Sequence, residues 1–228
     1  MEEKTEAIVL KSIPFQEKDR ILTLFSREMG LFSLIVKKIS SPQLMTLTTP
    51  FCLGEFLYKK GRGELFSFRD GTVLDSHSFL RTDLASCMAA ASMARALLNS
   101  HFPQGHISSL YLLFVSYLKQ LPSFEKKENL VCSFCMKILL HEGVVHFSPL
   151  CNVCKEKTST YLFRGESLCE THQEKGSIAV CASEWKTLET LTYCRSFQLL
   201  KECRITEELQ AKIASFFQEL CSATTPLR

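Results

Sequence analysis

Two cysteine-rich pairs in the last third of the chain constrain its fold more than any other feature. The first is Cys151-Asn-Val-Cys154 and the second is Cys169-Glu-Thr-His172, with fourteen residues between them. A two-residue gap lets a tight turn aim both side chains at one ion, and three thiolates with one imidazole form a tetrahedral donor set suited to Zn²⁺. We therefore expect Cys151, Cys154, Cys169 and His172 to hold a structural zinc ion.

The residues between the pairs predict a small hairpin. Thr158-Ser-Thr-Tyr-Leu-Phe163 is typical of a strand and Arg164-Gly-Glu166 of its turn. Four protein ligands leave no open coordination position, which favours a structural over a catalytic zinc. The sequence also has no Walker-type loop, no Ser/His/Asp arrangement and no paired-carboxylate motif. The residues therefore offer no recognisable catalytic motif.

Length and cysteine usage set the broad class of protein. The 228 residues suffice for one large or two small domains, and eleven are cysteines. The N-terminal residues are acidic and show no apolar signal-peptide region, and no apolar run has the length of a membrane span. A reducing cytoplasm is expected, where such cysteines bind metal rather than form disulfides. Cys132-Ser-Phe-Cys135 predicts core packing inside a helix, with a redox pair as the alternative.

Residues 1–80 predict a small β-barrel such as an OB-fold. The runs are short, rich in Ile, Val, Phe and Thr, and separated by turn residues. Five antiparallel strands are expected, at Ala7–Leu10 (ended by Pro14), Arg20–Ser26, Leu31–Val36, Phe51–Tyr58 and Glu64–Phe68. A polar loop is expected from Ser40 to Pro50, and Lys60-Gly-Arg-Gly63 is typical of a hairpin turn. Both faces of the third strand are apolar, so we expect the rest of the chain to cover the barrel.

Residues 81–228 predict an α-helical domain with the zinc-binding segment inserted at about 147–176. The apolar spacing changes to a helical period near residue 80. Helices are expected at 84–98 (capped by Thr82 or Asp83), 107–121, 126–142 (ended by Gly143), from Glu184 to about Cys194 (capped by Ser183), and from Thr206 onwards. The fold class is therefore α+β with two domains.

Basic residues are concentrated in the predicted barrel. From Lys11 to Arg69 there are ten Lys or Arg and five acidic residues, a local charge of +5, whereas the whole chain carries +3. Cationic strand ends and loops on a small barrel suit the phosphates of a single strand. The candidate DNA-binding residues are Lys11, Arg20, Lys37, Lys38, Lys59, Lys60 and Arg62. The alternative is an ordinary solvated face.

Several of these stretches resemble the bacterial recombination mediator family RecO. They are Ala7–Gly30 with its Glu17-Lys-Asp-Arg-Ile-Leu-Thr-Leu-Phe-Ser26 core, Pro50-Phe-Cys-Leu-Gly-Glu-Phe56, Gly61-Arg-Gly-Glu-Leu65, and both metal pairs. The resemblance implies a non-enzymatic DNA-repair protein that binds single- and double-stranded DNA and anneals complementary strands. It further implies action with RecR to load RecA onto strands coated by single-strand-binding protein (SSB), whose tail contacts the helical domain.

Two positions depart from the family pattern. The loop after Lys38 carries little charge where relatives are strongly basic, and His172 stands where many relatives have Cys. The first departure favours an alternative, a zinc-stabilised protein-interaction module with weak or no DNA binding. An RNA-binding OB-fold factor is a further alternative. We expect a monomer with no membrane association.

Overall fold

The structure, a computed structural model, describes residues 2–61, 63, 65–100 and 107–223. The described residues of 1–90 and 103–119 form one compact unit, and those of 91–102 and 120–228 form another. The division into domains 1–80 and 81–228 stays a prediction. Within the described ranges, every helix falls short of the length and apolarity that crossing a bilayer requires.

A closed five-stranded barrel with strand order β1-β2-β3-β5-β4 dominates the first unit. Its strands are β1 Glu2–Phe15, β2 Asp19–Ser26, β3 Gly30–Val36, β4 Leu53–Lys59 and β5 Leu65–Asp75. The predicted OB-like barrel is confirmed. The expectation that all strand pairs are antiparallel is wrong, because β3 and β5 pair in parallel. Five strands of alternating direction cannot close a ring without one parallel pair.

Two local expectations in this unit are also wrong. β1 continues through Pro14, which lies opposite Arg20 one residue before the strand ends. Proline is tolerated there because the strand is about to end in its hairpin. The expected polar loop contains the short helix α1, Pro42–Leu47, in which Pro42 starts the helix and the Ser41 hydroxyl accepts the amide N–H of Leu44 at 3.2 Å.

The barrel is filled by side chains that alternate along its strands. Those of Leu22, Leu24, Leu34 and Val36 are all fully buried in one apolar cluster. Helix α3, Ile107–Gln120, covers part of the barrel in the same unit, as the sequence predicts. Its Tyr111 hydroxyl donates to a Glu6 carboxylate oxygen at 2.8 Å.

The second unit is helical and carries the metal segment. Its helices are the C-terminal part of α2 Leu84–Asn99, with α4 Lys127–His141, α5 Ala182–Tyr193, α6 Phe197–Glu202 and α7 Glu207–Ala223. The predicted helices are confirmed, while α6 was not predicted. The predicted cap of α5 at Ser183 is wrong. Cys181 is the N-cap, and its N–H donates to the Glu184 carboxylate at 2.9 Å.

A small sheet with strand order β7-β6-β8 lies between α4 and α5 in sequence. Its strands are β6 Tyr161–Phe163, β7 Glu166–Leu168 and β8 Ile178–Ala179. The predicted hairpin with its turn at Arg164 and Gly165 is confirmed, although its first strand begins at Tyr161 rather than Thr158. With so few residues in each strand, the sheet cannot bury a core of its own.

A buried polar stripe on α4 anchors the two helices that follow the metal segment. The Asn129 amide donates to the Leu200 carbonyl at 2.8 Å, and the Ser133 hydroxyl donates to the Leu191 carbonyl at 2.7 Å. One turn further on, the Lys137 ammonium donates to the carbonyls of Thr192 at 3.1 Å and Cys194 at 2.7 Å. Burial lowers the pKa of Lys137. The ammonium therefore satisfies carbonyls at the C-terminal end of α5 that the helix leaves without partners.

Lys137→Met is expected to destabilise the chain by about 2 kcal/mol, because the buried Thr192 carbonyl and the half-buried Cys194 carbonyl lose a charged donor while the aliphatic packing remains. The melting temperature should fall by roughly 4–8 °C, measured by circular dichroism. The matched control is Lys186→Met, which alters an exposed lysine on α5. Equal melting temperatures for the two variants would show that the Lys137 hydrogen bonds contribute nothing to stability.

Candidate functional site

The two predicted pairs converge on one point in the metal segment. The Sγ atoms of Cys151, Cys154 and Cys169 and a ring nitrogen of His172 all lie within 4.8 Å of one another. The His172 Nδ1 atom is 3.5 Å from the Cys151 sulfur and 3.3 Å from the Cys169 sulfur. Donors around a tetrahedral zinc stand roughly 3.5–3.8 Å apart. The four residues are therefore placed so that they could hold one metal ion.

Backbone turns aim the four ligands. The Lys155 N–H donates to the Cys151 carbonyl at 2.9 Å, which closes the first turn, and the His172 N–H donates to the Cys169 carbonyl at 3.0 Å, which closes the second. The Asn152 N–H donates to the Ser167 carbonyl at 2.7 Å and so ties the first turn to β7. The two pairs are thereby held against each other by the hairpin between them.

The β6–β7 turn fixes the hairpin at Gly165. This residue has a φ of +87°, and a side chain there would collide with the carbonyl oxygen of Val144. Only glycine accommodates both the positive φ and the close approach. This close contact fixes the position of the hairpin relative to the segment that follows α4 and precedes Cys151.

The electrostatics of the cluster favour a thiolate at Cys151. Burial by itself raises the pKa of this thiol, but N–H groups of Cys154, Cys169 and Val153 and the ring of His172 hydrogen bond to its sulfur. These donors outweigh burial and lower the pKa of Cys151 to about 6. A sulfur that is ionised at neutral pH and surrounded by N–H donors is a suitable metal ligand.

The second CxxC pair has the opposite character. Burial raises the pKa of Cys132 to about 12 and raises the pKa of Cys135 further. Both thiols are protonated at neutral pH, which disfavours thiolate chemistry and is consistent with packing. His141 and His146, which flank Gly143, are not members of the only donor cluster found among the described residues.

Three predicted DNA-binding residues meet at one end of the barrel. Arg20 at the start of β2 pairs with Val36 at the end of β3, and Lys37 and Lys38 follow directly. Lys38 has a φ of +53°, and its N–H donates to the Asp19 carboxylate at 2.9 Å. The side chains of both lysines are exposed. This end of the barrel therefore presents adjacent cations on neighbouring strands.

The other predicted DNA-binding residues differ in where they lie and in whether an ion pair compensates their charge. Lys11 is exposed in the middle of β1, and Lys59 is exposed at the end of β4, opposite Ser67. Lys60 forms an ion pair with Glu3 at 2.8 Å and lies 6.0 Å from the Phe66 ring centre, so its charge is partly compensated. Arg62 lies outside the described residues.

An apolar ridge on the outer face of the barrel was not predicted. Ile13 pairs with Ile21 and Ile21 with Ile35, so that three isoleucines are aligned across β1, β2 and β3. Ile13 is 44% exposed, and Phe15 and Leu65 nearby on β1 and β5 are 42% and 39% exposed. Alternate residues of a strand point away from the barrel interior, and the isoleucines at those positions could have revealed the ridge.

A groove in the second unit was also not predicted. It has a volume of about 800 Å³ between α2, α4 and α7. Its apolar lining includes Ala96, Val131, Ile213 and Phe217, and the exposed Arg95 is the charged residue among its lining. The groove joins residues more than a hundred positions apart, so no local pattern could have indicated it.

Comparison with known proteins connects these features to a family. Residues 1–77 match the family model described as Recombination protein O N terminal. The chain is also 27% identical over 218 residues to the DNA repair protein RecO of Chlamydia pneumoniae, across 93% of this chain and 86% of that protein. The chain is thus similar to RecO proteins along most of its length. The RecO proteins of Exiguobacterium sibiricum and Clostridium perfringens are 27% and 26% identical, over 81% and 92% of this chain and 76% and 88% of their own lengths.

The family model and the relatives cover this chain to different extents. The model spans the barrel, whereas the relatives extend through the helices and the metal segment. The resemblance seen in the barrel strands and the metal pairs is thereby confirmed.

Proposed function

We propose that the chain is a non-enzymatic recombination mediator in bacterial DNA repair, acting as a monomer in the cytoplasm. It binds single- and double-stranded DNA, anneals complementary strands and, with RecR, loads RecA onto SSB-coated DNA. The observation that carries the proposal is the group of cations at one end of an OB-like barrel, the exposed Lys37 and Lys38 with the half-buried Arg20, in a chain similar to RecO proteins.

In this proposal the barrel contacts DNA mainly through phosphates. Lys11, Lys37, Lys38 and Lys59 are exposed, and Lys and Arg side chains displace the counterions that a nucleic-acid strand carries. Lys60 contributes less because Glu3 already neutralises it. Arg62 stays a candidate from the sequence alone.

The metal centre has a structural role in this proposal. Cys151, Cys154, Cys169 and His172 would hold a zinc ion with a closed coordination sphere. Bound zinc would supply cross-links that the short β6, β7 and β8 strands cannot provide through burial. The four ligands themselves fix two turns and one hairpin between α4 and α5.

The groove between α2, α4 and α7 is a suitable site for the SSB tail. Its apolar floor would accept apolar side chains, and the exposed Arg95 at its rim would pair with the carboxylate that ends any polypeptide chain. The remaining polar residues of the rim are uncharged, which leaves Arg95 as the residue that would orient the tail.

A second candidate function is a protein-interaction module with weak DNA binding, and the isoleucine ridge favours it. Three isoleucines aligned across neighbouring strands form an apolar surface of the kind that proteins bury against a partner. Pull-down of RecR after nuclease treatment separates the two candidates. Retention of RecR by a chain without measurable DNA affinity would support the interaction module.

The proposed function is tested by annealing of complementary strands coated with cognate SSB. We expect the chain to accelerate annealing of coated strands at least tenfold. The effect should disappear when the SSB lacks its C-terminal tail, because the groove then has no ligand. Arg95→Ala should reduce annealing of coated strands and leave annealing of bare strands unchanged. A chain that accelerates neither reaction would contradict the proposal.

A further inference from the structure

A second cavity lies in the helical unit, distant in sequence from the barrel cations. It has a volume of about 400 Å³ and is lined by the residues that precede α4 and those that end α6. We call it the α4–α6 pocket and define it by Phe124, Lys126, Lys201, Cys203 and Arg204. None of the functions assigned above uses it.

Three exposed cations line this pocket. Lys126, Lys201 and Arg204 come from two separate segments of the chain. Among the described residues, no ion pair with a carboxylate is found for any of the three. Lys201 lies over the buried Phe124 ring, with its ammonium 5.3 Å from the ring centre, and this contact holds the charge at the pocket.

Two hydrogen-bond acceptors of the pocket, the Cys203 carbonyl and the Glu202 carboxylate, accept from neighbouring amides. The buried Asn129 amide donates to the carbonyls of Leu200 at 2.8 Å and Cys203 at 3.0 Å, which turns both oxygens inward. Two acidic residues also line the pocket, Glu125 and Glu202, and the latter accepts from the Gln198 amide at 3.0 Å. The lining therefore carries three positive and two negative charges, and the Cys203 carbonyl is already engaged by Asn129.

We propose that the α4–α6 pocket binds a phosphate group of a nucleic-acid strand. Three cations around a small cavity can contact the oxygens of one phosphate, and the cavity is larger than a phosphate alone, so that the attached sugar fits. The inference rests on the proposed DNA binding and adds a contact outside the barrel. Lys201 and Arg204 would bind the phosphate, and Phe124 would position Lys201.

The test compares two double variants of the full chain in single-stranded DNA binding across a salt titration. Lys201→Ala with Arg204→Ala removes two pocket cations, and Lys175→Ala with Lys186→Ala removes two exposed cations elsewhere in the same unit. Each lost phosphate contact lowers the steepness of log affinity against log salt by about 0.7. The pocket variant should therefore lose about 1.4 in slope relative to the unaltered chain, and the control should lose none.

Equal slopes for the two double variants, with a steep slope for the unaltered chain, would overturn the pocket and leave the barrel interface intact. No salt dependence in the unaltered chain would instead overturn the proposed function itself. A thermal melt with added inorganic phosphate or a mononucleotide tests whether the pocket binds a small free ligand instead of a strand. Protection of the unaltered chain but not of the pocket variant, with unchanged DNA slopes, would contradict a strand as the ligand.

Discussion

Replacing Cys169 with serine is expected to abolish zinc binding and to lower the melting temperature of the chain by roughly 10 °C or more. Cys169 is buried, and its sulfur lies against His172 in the centre of the cluster. Without the metal, the short hairpin would have to be held by the few apolar contacts of Leu168, Tyr161 and Phe163. A loss of about 3–5 kcal/mol corresponds to the expected shift for a chain of this size.

The measurements are zinc content by elemental analysis and a thermal melt of the same preparation. Cys181→Ser is the matched control, because it changes the same atom at an exposed helix cap where serine is also suitable. The control should retain one zinc and an unchanged melting temperature. A Cys169→Ser variant that stays equally stable but loses annealing outright would contradict a structural role. Iron in place of zinc would contradict the metal assignment.

Reversing both charges after β3, with Lys37→Glu and Lys38→Glu, is expected to weaken single-stranded DNA binding by roughly 10–100-fold at 0.1 M salt. Two lost phosphate contacts should also reduce the salt dependence by about 1.4 in slope. Both side chains are exposed and lie just after the end of β3, so the barrel should remain folded. Fluorescence anisotropy with a labelled strand measures the affinity, and circular dichroism checks the fold.

The matched control reverses Lys175 and Lys186 in the helical unit, which changes the net charge by the same amount. It separates a local contact from the general effect of a more acidic chain. If both double variants bind DNA equally well, Lys37 and Lys38 are excluded from the interface. Because the loop that follows Lys38 carries little charge, Lys37 and Lys38 supply most of the positive charge at the end of β3.

The features predicted correctly from the sequence are formed by residues that lie close together along the chain. The metal ligands lie three residues apart in each pair, and a turn brings them together whatever the surrounding fold. The strands and long helices likewise follow from apolar periodicity over a few turns or pleats. Helix α1 was missed although Ser41 and Pro42 are a typical helix start, because the polar residues around them resembled a loop.

The parts that could not be predicted depend on pairs distant in sequence. Lys137 sits in the middle of a helix and would ordinarily be assigned to solvent, yet its partners are carbonyls 55 and 57 positions away. Lys60 was assigned to DNA, and its ion pair with Glu3 forms only when β1 and β4 close the barrel. The groove and the α4–α6 pocket arise in the same way from helix packing.

The central claim is that the barrel binds nucleic acid through phosphates, and a salt titration of single-stranded DNA binding tests it most directly. Three to five phosphate contacts predict a slope of about −2 to −4 in log affinity against log salt. Affinity should therefore fall roughly 60-fold between 50 and 200 mM salt for a slope near −3. An affinity that stays constant across this range, or no measurable binding at 50 mM, would contradict the account.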